Sequence, residues 1–566
     1  MSTCQLMMAQ HFHVAHPSAH KPKETSSLST ILQLANGLTS KSVLCKELED
    51  GRNPKEDYTF KQVVSETGLN KPPDTLSEPT RVIVVGAGIA GLRAASVLQT
   101  HGVQVIVLEA RPDRIGGRIF TSRKPGRAPR DIGAAWAHET SQNKLLPLIS
   151  QLKVEHYYDD GTPLYFTRDG RLGSQFKAKK VADEFADYLE YYYEENPDAE
   201  DKSALTFIHE WVASHPLITE DEKLWAPQVA REVEAWIGTS LEQASSKHLA
   251  YFAIERNLYM KGGYDTIVDW TASSLRHQNI LRLGHVVTKI EWNEDEGKQC
   301  IVRTKNPSGA ESVFLAEAVI CTLPLGVLHH DLVEFCPPLT DDLQLGLSKL
   351  SYGALGKVFF EFESVFWPKD NDQFIYYPDP TTEPVDQNSI LLYVSVLAHR
   401  EFAGSNLGKM TVTSNNWIMN GVKELSVQIV EPLTQRIEAM ESDREIYAFF
   451  EPLFKLFRTE PYKKLPPVVN LETTHWTQDP YAGFGTYSAD KVGDEPDLWM
   501  SAIESKQQSK LQFAGEHCAR TGNGCVHGAF ATGETAAINV LTMLGVAHNG
   551  GDAFSRRPAR KSPPRH

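Results

Sequence analysis

The stretch RVIVVGAGIAGLRAASVLQTHGVQVIVLEA, residues 81–110, limits what this chain can fold into more than any other. RVIVV (81–85) has the unbroken apolar, β-branched make-up of a strand buried on both faces. The glycines after it enter a helix, and VQVIVLEA (103–110) reads as a second strand, so the run predicts a βαβ unit. Gly86, Gly88 and Gly91 keep G-x-G-x-x-G spacing, and Glu109 closes the second strand 18 residues after Gly91. Each residue type has a physical task there. Gly86 permits the tight turn, Gly88 admits a pyrophosphate to the backbone, and Gly91 lets helix pack on strand. The helix start, with Ile89 and Ala90, holds phosphate through free N–H groups, and Glu109, followed by Ala110, accepts hydrogen bonds from a ribose. The spacing alone leaves NAD and FAD both open.

The rest of the chain narrows the class. Its 57 basic and 72 acidic residues give a net charge of -15, which argues against nucleic acid as a main partner because phosphate neutralisation needs a basic footprint. An acidic chain suits cationic small molecules, or simply solubility. Seven cysteines, at 4, 45, 300, 321, 336, 518 and 525, are too scattered for a disulfide framework and point to a reduced intracellular setting, cytoplasmic first, with the peroxisome left open. No apolar run is long enough for a membrane helix, and the N-terminus lacks the layout of a secretory signal. Residues 1–79 read as a poorly ordered extension with one short helix near Leu28 to Leu38, and 547–566 as a disordered basic tail. Between them, 178–235 has helical spacing, whereas 350–400 carries β-forming runs such as KVFFEF and SILLYVSVL.

The residues after the fingerprint separate the two nucleotides. LEARPDRIGGRIFTSR (108–123) places Gly116, Gly117 and Arg118 just beyond the ribose carboxylate, and DIGAAWAHE (131–139) comes next. This pattern resembles the flavin amine oxidase family, which implies non-covalent FAD held by Arg111, Gly117 and Arg118 near the pyrophosphate and by Gly133, Ala134, Ala135 and Trp136 alongside the flavin. Pro112 lengthens the usual turn by one residue, so Arg111 and Arg114 are less firmly placed. The resemblance covers 80–545. It implies an α/β (α+β) fold with a Rossmann-like FAD-binding domain made from 80–150, 256–330 and 470–546, and a discontinuous substrate domain of mixed β-sheet plus helices from 151–255 and 331–469. In GHVVTKIEW (284–292), Val287 is expected at the adenine.

Lys357, inside KVFFEF, reads from its own surroundings as an edge-strand or snorkelling lysine. The resemblance makes it instead the lysine linked through water to flavin N5, with a pKa depressed by burial. HWTQDPYAGFGTYS (475–488) is similar to the family segment that sets Tyr487 against the flavin face and Trp476 near the lysine, and Thr486 stands where monoamine oxidases carry the flavin-linked cysteine. His138 reads as a structural histidine or, by resemblance, as one that hydrogen-bonds a distal substrate amine.

GEHCARTGNGCVHGAF (515–530) concentrates His517, Cys518, Cys525 and His527 as if around a metal. Adjacent His517 and Cys518 point to opposite faces of an extended segment, and no second half-site exists, so no metal is expected. By resemblance the segment gives Gly515 and Glu516 to the cofactor's sugar chain, and Cys525 and Val526 to a helix start at the flavin ring. Cys525 stands where monoamine oxidases and plant polyamine oxidases place a second tyrosine, and by resemblance this favours an enzyme similar to the fungal spermine and acetylspermine oxidases. The implied reaction is oxidation of spermine, N-acetylspermine or spermidine beside a secondary amine. Hydride passes to flavin N5, O2 is reduced to H2O2, and the imine hydrolyses to an amine and an aminoaldehyde. Lys357, Tyr487, Cys525, His138 and Trp476 are the residues expected at the chemistry, in a monomer or homodimer. Rival readings are a demethylase for histone methyl-lysine, which would need helical additions this chain has no room for, a monoamine or amino-acid oxidase, and a non-catalytic flavin-binding protein.

Overall fold

The computed structural model describes residues 80–548 apart from 160, 174–175, 253–255, 277–278 and 381–409. The helix expected near Leu28 to Leu38, the segment SILLYVSVL and the basic tail lie outside the described residues. The predicted βαβ unit is β1 (Thr80–Val85), α1 (Ile89–Thr100) and β2 (Val105–Glu109), with both strands parallel and Val85 opposite Leu108. Parallel strands need cover on both faces. One side is covered by a cluster in which α1 packs against the long C-terminal helix Val526–Met543, and the other by a second cluster around Trp499 and Leu343.

The first sheet is drawn from three separated stretches. Its order runs from Leu281–Leu283 through β2 and β1 to β3 (Glu311–Cys321), then to the antiparallel strands Cys300–Lys305 and Val286–Glu291 and to Glu334–Cys336, while Leu511–Phe513 pairs in parallel with β3. Because Glu334–Cys336 and buried Leu339, Leu343 and Leu350 belong here, this core continues past residue 330.

The second sheet has seven strands in the order Val468–Thr473, β4 (Leu355–Phe362), β5 (Glu424–Val430), Thr411–Asn415, Gln373–Tyr376, Leu164–Thr167 and Gly170–Arg171. One face carries a phenylalanine-rich core with the helix Asp443–Leu456. The helices Ala178–Glu195, Ala204–Ser214 and Glu220–Ala230 form a separate cluster around Phe185, Phe207 and Trp211. No described helix is long and apolar enough to cross a membrane.

Candidate active site

One cavity of about 1250 Å³ runs from the glycine turn of the first sheet to Tyr165, Ile375 and Val412 in the second. Its volume exceeds the roughly 300–1,000 Å³ of an ordinary small-molecule site. At the nucleotide end, the three glycines differ in what holds them. Gly86 has a φ of 100°, and a Cβ on Gly91 would stand 2.0 Å from the Gly86 carbonyl oxygen, so both are fixed by the protein's own packing. A Cβ on Gly88 would meet nothing within 4 Å, which leaves its open approach to a ligand as the reason for glycine there. Glu109, at the end of β2, accepts from the N–H groups of Ala87 (2.7 Å) and Arg111 (2.9 Å), while burial works against these bonds and raises its pKa. Ile89, Ala90, Ala110 and Val287 line the same end.

The arginines beyond the fingerprint take distinct places. Arg111 turns to the QDPY loop, with Nη2 2.5 Å from Asp479 Oδ2, while Arg114 stands over the Phe120 ring and donates to the Gly117 carbonyl at 2.7 Å. Arg118 pairs directly with Glu516 at 2.7 Å across 398 residues of sequence, and also donates to the Thr486 carbonyl. Glu516 in turn accepts from Ser488 Oγ at 2.7 Å and Gly524 N at 3.0 Å. This carboxylate thus ties three cavity walls together, and the Arg118 charge keeps its pKa low despite the burial that opposes it.

β4 delivers Lys357, which is only 7% exposed, to the bend that follows the short strand Arg130–Asp131. Its Nζ donates to the carbonyls of Asp131 (3.1 Å) and Gly133 (2.6 Å), and Trp476 Nε1 donates to the carbonyl between them, that of Ile132 (3.1 Å). Lysine and tryptophan thus hold three consecutive carbonyls of this segment between them. Burial lowers the Lys357 pKa to about 8, against the opposing pull of Asp131, whose own pKa desolvation lifts to about 6. Gly133 is obligatory here, because a Cβ would lie 1.9 Å from the Arg118 carbonyl oxygen. Trp136, whose ring centre is 5.1 Å from Lys357 Nζ, has its indole Nε1 buried without a partner among the described residues.

Tyr487 and Cys525 meet on the opposite wall. The tyrosine hydroxyl donates to the Trp236 carbonyl at 3.1 Å, and a Cβ on Gly524 would lie 3.2 Å from its ring. Cys525 is the N-cap of α2 (Val526–Met543), whose first turn faces the cavity through Val526 and Ala529. Burial, followed by the charges of Glu139 and Glu516, pushes its thiol up to about 12, so the sulfur stays protonated. The Thr486 hydroxyl donates to the Gly353 carbonyl at 3.2 Å and accepts from Leu355 N at 2.9 Å. His138 sets Nδ1 2.8 Å from Asn257 Oδ1 and meets the Trp236 ring edge-on at 5.5 Å. Burial lowers its pKa, so the neutral ring donates from Nδ1 and leaves Nε2 as an acceptor.

The other soft-ligand candidates point elsewhere. His517 stacks on Trp499 at 6.0 Å and burial drops its pKa to about 4, and Cys518 is buried in the second cluster of the first sheet. Among the described residues no group of three His, Cys, Asp or Glu side chains converges. Reading the sequence missed Trp236, Asn257 and the pair Glu139–His527. Glu232 was also missed; it accepts from Lys179 at 3.3 Å and from the Tyr377 hydroxyl at the far end of the cavity. Each sits in a helix or loop without a local motif, although His527 lies in the stretch VHGAF.

The donor set fits FAD. A turn with an open glycine and a buried ribose carboxylate suits the dinucleotide. A helix start favours negative charge, and an unpaired indole N–H together with an aromatic wall suits a polar ring system. Comparison with known proteins agrees. The chain is 30% identical over 477 residues to polyamine oxidase 2 of Arabidopsis thaliana, covering 81% of this chain and 87% of that protein. It is 28% identical to polyamine oxidase 5 of Oryza sativa (83% and 90% covered) and 28% identical to a corticosteroid-binding protein of Candida albicans (83% and 97%). A solved putrescine oxidase double mutant redesigned in cofactor binding superposes with a TM-score of 0.58 at 18% identity, covering 82% of this chain and 99% of the other, which establishes the shared fold. The model of the flavin containing amine oxidoreductases matches residues 89–541, and the chain belongs to that family.

Proposed function

We propose that this FAD enzyme oxidises polyamines of the spermine, N-acetylspermine and spermidine type at the carbon beside a secondary amine. The observation that carries the reading is the course of the cavity. It is lined by Tyr487 and Cys525, one aromatic ring and a small thiol, and extends by way of Trp236 to Tyr165 and Glu232, a length suited to a long chain rather than a compact ring. Relatives named as polyamine oxidases in two plants support it. The five described cysteines are all free, which fits a reducing compartment such as the cytoplasm.

Bound FAD supplies two-electron oxidation of the C–N bond and passes the electrons to O2 as H2O2. The protein's part is positioning and proton handling. Gly86, Gly88, Glu109 and the start of α1 would hold the nucleotide, and Gly133 to Trp136, Arg118, Glu516 and the start of α2 would lie at the ring. Tyr487 and Cys525 orient the reacting carbon and, with Trp236, exclude bulk water. Oxidation requires the reacting nitrogen to be neutral, because its lone pair stabilises the positive charge that develops on carbon. Lys357, with a pKa of about 8, can take or give a proton at Nζ near neutral pH. His138 Nε2 can accept from a substrate ammonium. The imine product hydrolyses in water to an amine and an aminoaldehyde.

Peroxide release is measured with spermine, N-acetylspermine, spermidine, benzylamine and a methylated histone peptide supplied separately. Turnover of one or more polyamines at a kcat/KM well above benzylamine and peptide is expected. No polyamine turnover with rapid benzylamine or peptide oxidation overturns the substrate assignment and leaves the flavin assignment standing.

A further inference from the structure

We propose that Glu139 is a specificity-determining residue, the carboxylate that binds a substrate ammonium on the Cys525 side of the cavity. This rests on the polyamine reading above and adds the group that holds the charge.

Glu139 is in the wrong conformation for its type. Its φ is 54°, in the left-handed region where glycine is at ease and a long side chain is not. The turn it makes, with its carbonyl accepting from Gln142 N and Asn143 N at 2.9 Å each, calls for no carboxylate. A strained charged residue on a cavity wall is retained by what its side chain does.

The side chain reaches α2. Oε2 lies 3.3 Å from Nε2 of His527, the second residue of that helix, which is buried and packed against Gly522. The histidine pins one oxygen, and Oε1 has no partner among the described residues. The carboxylate is 34% exposed and lines the cavity beside His138, Asn523 and Cys525. The His527 hydrogen bond, opposed by burial, lowers the Glu139 pKa and keeps the group ionised. Its charge is felt at Cys525, on the same cavity wall. An anchored carboxylate with one free oxygen in a partly enclosed site takes an ammonium group by a charge-assisted hydrogen bond.

The flavin-loaded proteins Glu139→Gln and Glu139→Gly are compared with wild type. Glutamine keeps the shape and removes the charge, and glycine removes the charge while relieving the backbone, so it folds at least as well. For both, KM for spermine and spermidine is expected to rise about tenfold or more, the loss of one charge-assisted bond, with kcat falling less. Affinity for an unreactive straight-chain diamine, read by calorimetry, should fall in parallel, and Glu139→Asp should recover part of both. Variants with wild-type KM and diamine affinity, or an equal loss for benzylamine and spermine, overturn the inference while leaving the polyamine reading intact. A wild-type enzyme that oxidises no polyamine overturns that reading, and this inference with it.

Discussion

Replacing Lys357 by methionine tests whether a buried cation stands at the heart of the site. Methionine keeps the length and the packing of the methylenes and removes the titrating group. In the folded protein Lys357 titrates at about 8 because burial disfavours the ammonium, whereas the unfolded chain has the ordinary 10.5. Below pH 8 both states are protonated and the folded wild type carries the full desolvation cost. Between 8 and 10.5 the folded state has released its proton and the unfolded state has not, so wild-type stability rises with pH at about 1.4 kcal/mol per pH unit. Relative to Lys357→Met, wild type is therefore expected to gain about 3 kcal/mol across that window and to level off above it. The comparison begins at pH 8 because Asp131, at about 6 beside the lysine, climbs further once the cation is gone. Chemical denaturation of the flavin-loaded proteins at pH 8, 9, 10 and 11, followed by circular dichroism, reads the difference. A gap independent of pH, or one moving the other way, would refute a desolvated lysine. The variant is also expected to retain flavin and to turn over at least tenfold more slowly, and unchanged kinetics would remove Lys357 from the chemistry.

The other predictions concern separate parts of the site. Gly88→Ala should fold with the stability of the wild-type apoprotein yet retain much less flavin, whereas Gly91→Ala, whose Cβ meets backbone at 2.0 Å, should fail to fold; absorbance at 450 nm and thermal melting distinguish them. Arg130→Met strands the buried carboxylate of Glu424 and should cost about 3–5 kcal/mol at pH 8. The loss should shrink towards pH 5, because Glu424 has a raised folded pKa and its penalty fades as it protonates. Cys525→Tyr completes an aromatic pair with Tyr487 and should shift relative kcat/KM from spermine towards benzylamine; an unchanged ratio removes Cys525 as the gate.

How much of this could be read along the chain depended on whether a physical requirement was local. The glycine turn was legible because strand, turn and helix are consecutive and each glycine answers a backbone constraint within a few residues. Lys357 was visible as an oddity in an apolar strand, but its partners, two carbonyls more than 220 residues upstream, exist only once β4 is laid against the Asp131 segment. The same holds for Arg118 with Glu516, and Glu139 drew no notice because a left-handed φ has no signature in a lone glutamate.

Arg130 makes the limit plainest. Glu361 and Glu424 are direct partners across β4 and β5, an arrangement that like charges should destabilise, and Glu472 lies on the strand at the other side of β4. In the sequence these three acids are unremarkable members of strands far apart. In the fold Arg130 donates to all three, neutralising a repulsion built into the second sheet. That arginine immediately precedes Asp131, whose carbonyl accepts from Lys357, so the acids of the second sheet help fix the segment on which Lys357 rests. Arg130 sits on a short strand outside both large sheets and ties the Asp131 segment to the second one, which is why the lysine's setting cannot be read from its own strand alone.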